Sequence, residues 1–449
     1  MRCPPHGSAN GALNFSCYHP PPGPNQHRGF VISVVGIIRS KQSVLRDYFS
    51  AISGSAGRLV FSLAYFVVLA NALTISEFGV FATASATGVM LSRILGFGFI
   101  APLYRIATVK PRLLGAYTVG FLAMSALSLP VVAVAGGVMY LVFFQADMAP
   151  AAFALVIAAE ALLWRPAEAV IIVNNGLNRF GRGAFLVILG TAIRAAAALV
   201  FAFLATRDLW IWTQLYLAAN ALSLLIAATF FYPWQRLRFT PRLYMRRLGD
   251  AAYVAGAEIL FYLQMELDKL LVLALGGPHL AGIYAIIMRL VDLTAIPVRT
   301  FSMLLVQKMM RAPDMLRRIV TRIGIEGGIF AVSTLALLSL AVLLYFAPGI
   351  LGSNVAEAAP LVILALAVPG LRNLVEYQAE LLFARGQTAI RAINLVLLAG
   401  IKAVALAYIL EQHDMARDLV PALNWAFLVI YLASAALTYS ALRLPAKRV

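Results

Sequence analysis

The sequence has little of what most soluble enzymes depend on. Only two cysteines occur in 449 residues, Cys3 and Cys17, so a disulfide framework or a cysteine-based metal site lacks its ligands, and the redox compartment stays open. The five histidines fall in tails and loops, and no HExxH pattern exists. Metal catalysis is left without ligands, and no metal or cofactor is expected. Charge is scarce: 12% of residues are charged against 62% hydrophobic, and the mean hydropathy is +0.86. That balance excludes a soluble domain and implies an all-α integral membrane protein. Acids are the scarcer sign, 19 against 36 Lys and Arg, for a net charge of +17. The bases cluster in short connections between apolar runs, so nucleic acid is excluded as a partner and the lipid bilayer is implied.

Long hydrophilic loops are also missing. Every connection spans roughly 16 residues at most, leaving no extramembrane domain to host chemistry. "GLNRFGRG" (176–183) has the glycine spacing of a phosphate loop but lacks the Lys-Ser/Thr that would grip phosphate and magnesium. The "GFG" at 96–98 lacks a third glycine and a preceding strand. An enzyme is therefore not expected.

Long apolar runs are what the sequence does have. A bilayer core needs about 20 apolar residues per helix, and that ruler gives about twelve segments. They lie near 55–75, 79–101, 114–144, 151–173, 184–206, 211–234, 251–275, 280–305, 323–346, 359–383, 389–410 and 419–441. Residues 1–50 form a cytoplasmic, partly disordered tail rich in Pro, Gly and His, in which the Asn14-Phe15-Ser16 sequon carries little weight. "GFVISVVGII" within it is too short to span and has no cleavage site, so it is neither a transmembrane helix nor a signal peptide. Alternate connections hold Arg105, Lys110 and Arg112, then Arg179 and Arg182, then Arg236 to Arg247, Lys308 to Arg322, Arg385 and Arg391, and Arg443 to Arg448. The opposite set carries mainly acids, with Arg207 and Arg417 as its basic residues. The positive-inside rule then places both termini in the cytoplasm.

The chain also repeats itself. "SEFGVFATASA" (76–86) and "HLAGIYAIIMR" (279–289) each open a helix after an apolar one and align Gly79 with Gly282 and Phe81 with Tyr284, 203 residues apart. Further on, Arg165 matches Arg372, Glu168 matches Glu376 within one residue, and Arg194 matches Lys402 at an offset of 208. Six helices duplicated in the same orientation explain this, giving two parallel six-helix halves, 51–250 and 251–449.

"ANALTISEFGVFATASATGVMLSRILGFGFIAPLYR" (70–105) and "ELDKLLVLALGGPHLAGIYAIIMRLVD" (266–292) resemble the polysaccharide-transporter branch of the multidrug/oligosaccharidyl-lipid/polysaccharide exporter superfamily, the Wzx-type flippases. The likeness runs from about residue 43 to the end. It implies two parallel six-helix bundles around a central cavity, in a multi-pass protein of the bacterial inner membrane that moves undecaprenyl-pyrophosphate-linked oligosaccharide between leaflets for O-antigen, exopolysaccharide or capsule synthesis. It extends to a polysaccharide polymerase and chain-length proteins as candidate partners.

Ionisable groups inside these segments cost roughly 2.5–3.5 kcal/mol each on insertion scales, so they should face the interior and have partners. In the seventh segment Glu258, Tyr262, Glu266 and Lys269 follow at offsets of 4, 4 and 3, on one face. Arg165 and Glu168 are three apart, and Arg372 and Glu376 four apart, which suits self-compensated pairs framing the cavity, with Asp292 in the same coupling set. Arg58, Arg93, Arg194 and Lys402 have no acid within a turn of their own helix, and Arg93, Arg194 and Lys402 with Lys269 and Arg289 form the expected cationic lining for a pyrophosphate. Arg58 and Arg299 sit near segment ends, where snorkelling to headgroups serves as well as any function. Pro130, Pro166, Pro297 and Pro369 lie inside segments and should kink them. Two other functions stay open: a cation-exporting drug antiporter, which Glu258, Glu266, Asp268 and Glu376 would suit, and a non-transporting membrane subunit of a polysaccharide machine.

Overall fold

In the computed structural model, residues 57–233, 235–311, 319–413 and 415–443 are described. The tail 1–50 with its sequon and both cysteines, Trp234, and the connection 312–318 lie outside that set, as does the side chain of Pro297.

The described residues are helical, with no strand among them. Helix α1 is Gly57–Ala72, and α2 is Ile75–Ser92 followed by Leu95–Val109. Next come α3 (Leu114–Phe143), α4, α5 (Phe180–Ala202) and α6 (Leu209–Phe231). Helix α4 runs from Pro150–Ile157 through a π-helical turn, Ala158–Trp164, into Arg165–Gly176. The long run Pro241–Arg311 is broken at Gly277, φ 77°, into α7 and α8. It begins ten residues ahead of the expected start at 251. Then follow α9 (Ile319–Phe346), α10 (Ser353–Ala365 and Val368–Ala384), α11 (Thr388–Gln412) and α12 (Ala416–Ala441). These twelve helices form the two six-helix bundles, α1–α6 and α7–α12.

Lipid, not water, is the solvent this architecture fits. The most apolar stretch of α3 is only 17% buried, and Leu127, Val134, Leu141 and Phe203 point outward. An aqueous protein would hide that surface. Charge is handled in the opposite way, with Arg93, Arg165, Arg372 and Lys402 all buried.

Local chemistry explains the ends and the breaks. Thr74 caps α2: its hydroxyl accepts from the Glu77 amide at 3.2 Å, and the Glu77 carboxylate accepts from the Thr74 amide at 3.0 Å. The "GFG" motif is the break in α2. Gly96, Phe97 and Gly98 all take positive φ, and the two halves of the helix meet at 51°. Gly98 has no room for a side chain, since a Cβ would lie 2.1 Å from the Ala251 carbonyl oxygen of α7.

The bundles meet at the start of α2 and the start of α8, with the repeat-related glycines face to face. A Cβ on Gly79 would sit 2.3 Å from the Gly282 nitrogen, and one on Gly282 would sit 2.0 Å from the Ile75 oxygen. Beside them Asn354 donates to the carbonyls of Ala70 and Leu73, both at 2.8 Å, and Asn71 donates to that of Leu351 at 2.8 Å. This end of the inter-bundle seam is closed by backbone.

Candidate functional site: a charged cavity between the bundles

A cavity of about 560 Å³ lies between α1, α2, α4, α5 and α6 on one side and α7 and α8 on the other. Towards the closed seam its wall is apolar, with Leu69, Phe78 and Phe81. Towards the opposite end, where the basic connections lie, the wall carries Arg58, Arg93, Glu168 and Asp292. Of the expected cationic set, Arg93, Arg194, Lys269 and Arg289 line the cavity, and of the coupling set Glu168, Glu266 and Asp292 do.

Most of these charges are already matched, and across helices rather than along them. The Arg93 guanidinium donates to both oxygens of Glu168, at 3.0 and 3.2 Å, and lies 4.3 Å from the ring centroid of Tyr262. Arg165 donates to Glu168 at 2.7 Å and crosses to Glu258 of α7 at 2.9 Å. Glu258 is also 3.9 Å from Arg93, so this cluster ties the two bundles together. In the second half, Arg299 of α8 donates to both oxygens of Glu376, at 2.9 and 2.7 Å, and to Asp292 at 3.1 Å. Arg299 follows Arg93 by 206 residues and Glu376 follows Glu168 by 208, so each repeat sets an arginine against a carboxylate, Arg299 through a two-nitrogen fork and Arg93 through one terminal nitrogen.

Three expectations change here. Arg372 and Glu376 do not form an ion pair: Glu376 is taken by Arg299, and Arg372 lies 3.7 Å from Asp292. Arg299 is held by two carboxylates instead of reaching free for headgroups. Lys402 does not line the cavity; it is 2% exposed and bonded at 2.8 Å to Asp268, on α7. Own-helix spacing hid Glu376 from Arg299, Asp292 from Arg372 and Asp268 from Lys402 because each comes from another helix, while Asp292 lies on α8 with Arg299 itself, two turns away. Arg165, Glu258, Arg372 and Glu376 stand behind the lining.

Arg194 is met by a polar niche that spacing did not show. Its guanidinium donates to Asn220 at 2.6 and 3.0 Å, lies 4.2 Å from the Trp164 ring centroid, and is 3.9 Å from Glu160. Glu160, on the π-helical turn, accepts from Ser85 at 2.8 Å and from the Tyr216 hydroxyl. Glycines make the room: a Cβ on Gly88 would be 2.9 Å from the Glu160 side chain, and one on Gly190 would be 2.8 Å from the Trp164 ring. Lys269 is matched by Glu266 at 2.5 Å on its own helix, as the stripe on α7 suggested.

Two cations on the wall remain. Among the described residues Arg58 and Arg289 make no ion pair with any carboxylate. Arg289 donates across the seam to the Ser62 hydroxyl of α1, and Arg58 is exposed at the mouth. In the sequence Arg58 stood out both for having no acid within a turn of its own helix and for its place near a segment end.

No protein-family model matches the chain, and no curated protein matches it. Solved structures do. An inward-facing multidrug resistance MATE family transporter of the MOP superfamily superposes with a TM-score of 0.65, covering 86% of this chain and 94% of that one at 12% identity. An outward-facing transporter of the same description gives 0.52 over 90% and 97% at 12% identity. A MOP superfamily transporter from Pyrococcus furiosus, described as having a binding pocket of reverse polarity that suggests a different function, gives 0.59 over 90% and 97% at 14% identity. The chain thus has the fold of the MATE-type transporters and is a multi-pass membrane protein.

Proposed function

We propose that this protein flips undecaprenyl-pyrophosphate-linked oligosaccharide repeat units across the bacterial inner membrane by alternating access. The charge balance of the cavity carries this reading. Seven carboxylates gather on and just behind its wall, Glu160, Glu168, Glu258 and Glu266 with Asp268, Asp292 and Glu376, against nine cations. The excess of two is Arg58 and Arg289, both on the wall. A pyrophosphate headgroup brings about two negative charges and oxygen edges that fit guanidinium forks. The aromatic wall of Tyr65, Phe81, Trp164 and Tyr216 offers apolar faces to the sugars.

Orientation follows from the positive-inside rule, with both termini and the charged mouth in the cytoplasm. The lipid tail stays in the bilayer, and a polymerase waits on the far side. The test is a deletion strain complemented with Arg58→Ala/Arg289→Ala. The deletion is expected to accumulate the lipid-linked unit on the cytoplasmic leaflet, and the double variant to restore less than about a tenth of export, the loss of at least 1.4 kcal/mol of headgroup binding. Full restoration by the variant, or no accumulation in the deletion, refutes the assignment.

A second reading has its own support. Glu160, Glu168, Glu266 and Asp292 on the wall, on a fold shared with multidrug transporters, suit export of cationic compounds. It predicts a deletion strain with normal glycan export and raised sensitivity to cationic drugs.

A further inference from the structure

Lys402, removed from the cavity, has surroundings of its own. Its ammonium on α11 touches three oxygens of α7: Asp268 Oδ1 at 2.8 Å, the Gln264 carbonyl at 2.8 Å and the Met265 carbonyl at 3.4 Å. Asp268 is fully buried, and its other oxygen accepts from the Tyr284 hydroxyl of α8. The Phe427 ring of α12 covers the remaining side, 5.9 Å from the ammonium. Four helices of one bundle thus converge on a single positive centre that water and the cavity do not reach.

A carboxylate oxygen and two backbone carbonyls around one positive charge form the donor set of a hard monovalent cation. Neutralising Asp268 alone would need only the carboxylate contact. A lysine suits the role because its charge is compact and its donors rotate, whereas a planar guanidinium would not fit three converging oxygens. We infer that Lys402 is a resident cation: its ammonium permanently fills a monovalent-cation site built from Asp268, Gln264 and Met265, so that this site exchanges no sodium. Being tethered, the ammonium is present at an effective concentration that free ions do not match. This inference holds whichever substrate the cavity carries.

The full-length protein in detergent tests it. Melting temperature is followed while sodium chloride replaces N-methylglucamine chloride at constant ionic strength. Wild type is expected to be flat. Lys402→Ala, which opens the space and leaves Asp268 unpartnered, is expected to rise saturably by about 3 °C or more with sodium. Lys402→Ala/Asp268→Asn, with no charge left to serve, is expected to be flat. A folded Lys402→Ala protein indifferent to sodium overturns the inference. So does stoichiometric binding of radioactive sodium to wild type that the double variant lacks, a measurement that does not depend on how the single variant folds.

Discussion

Single buried charges differ in what their loss should do, and exposure decides the size. Lys402 and Asp268 are 2% and 0% exposed, so Asp268→Asn strands an ammonium where water does not reach. Breaking such a pair costs about 3–5 kcal/mol, whereas replacing both members by neutral groups of similar shape is near neutral. Asp268→Asn is therefore expected to lower the melting temperature far more than Asp268→Asn/Lys402→Met. A double variant as damaged as the single one would show that packing, and not charge, holds this site. Glu376→Gln is the contrasting case. Its partner Arg299 has a side chain 39% exposed, and solvent screening limits the loss to about 1 kcal/mol. Residue types at this scale were readable in the sequence, including Arg93, Arg194 and Arg289 as cavity cations. Their partners were not, because helical spacing reports only neighbours on the same helix. The pairs Arg93–Glu168 and Arg299–Glu376 each join helices about 75 residues apart or more, beyond any periodicity.

Among the helices, the repeat was legible down to particular glycines, and Pro166 and Pro369 marked where two helices are distorted but not the form of the distortion. Gly79 and Gly282 were aligned by sequence alone, and they pack on each other at the seam, where only hydrogen fits. What spacing could not show is that α4 and α10 both leave α geometry shortly before their matched arginines. One does so through a π-helical turn ending at Trp164, the other through a 67° bend ahead of Val368. Both place an arginine beyond a distortion, immediately before Pro166 in one case and one turn after Pro369 in the other. The seam itself yields a prediction. Gly282→Ala pushes a methyl into the Ile75 carbonyl, and backbone cannot give way as a flexible side chain would. A loss of about 1–3 kcal/mol is expected in thermal melts. Since this contact closes the end of the cavity remote from the basic connections, the variant should also favour opening there. In a protein with Cys3 and Cys17 replaced by serine, a Ser85→Cys probe on the cavity wall should then label faster with an impermeant maleimide added on the side opposite the basic connections. Unchanged labelling in a folded variant would mean that the seam is not a gate.

For the molecule as a whole, under the proposed flippase function, the excess of two cations bears on what would drive transport. If Arg58 and Arg289 stay with the protein while the headgroup leaves, negative charge moves outward, and an inside-negative potential favours that by about 2.3 kcal/mol per charge per 100 mV. With the ammonium of Lys402 filling the Asp268 position, a sodium drive would need a site elsewhere, whereas the potential needs none. In proteoliposomes loaded with lipid-linked pyrophosphate glycan, a potassium diffusion potential set by valinomycin, negative on the side the substrate leaves, should speed translocation. Reversing its sign should slow it. Arg58→Ala/Arg289→Ala should lower the rate at every potential, because the headgroup loses its partners before it moves. A wild-type rate that ignores the potential yet rises with an imposed sodium gradient would show that net charge is not what the cavity carries across.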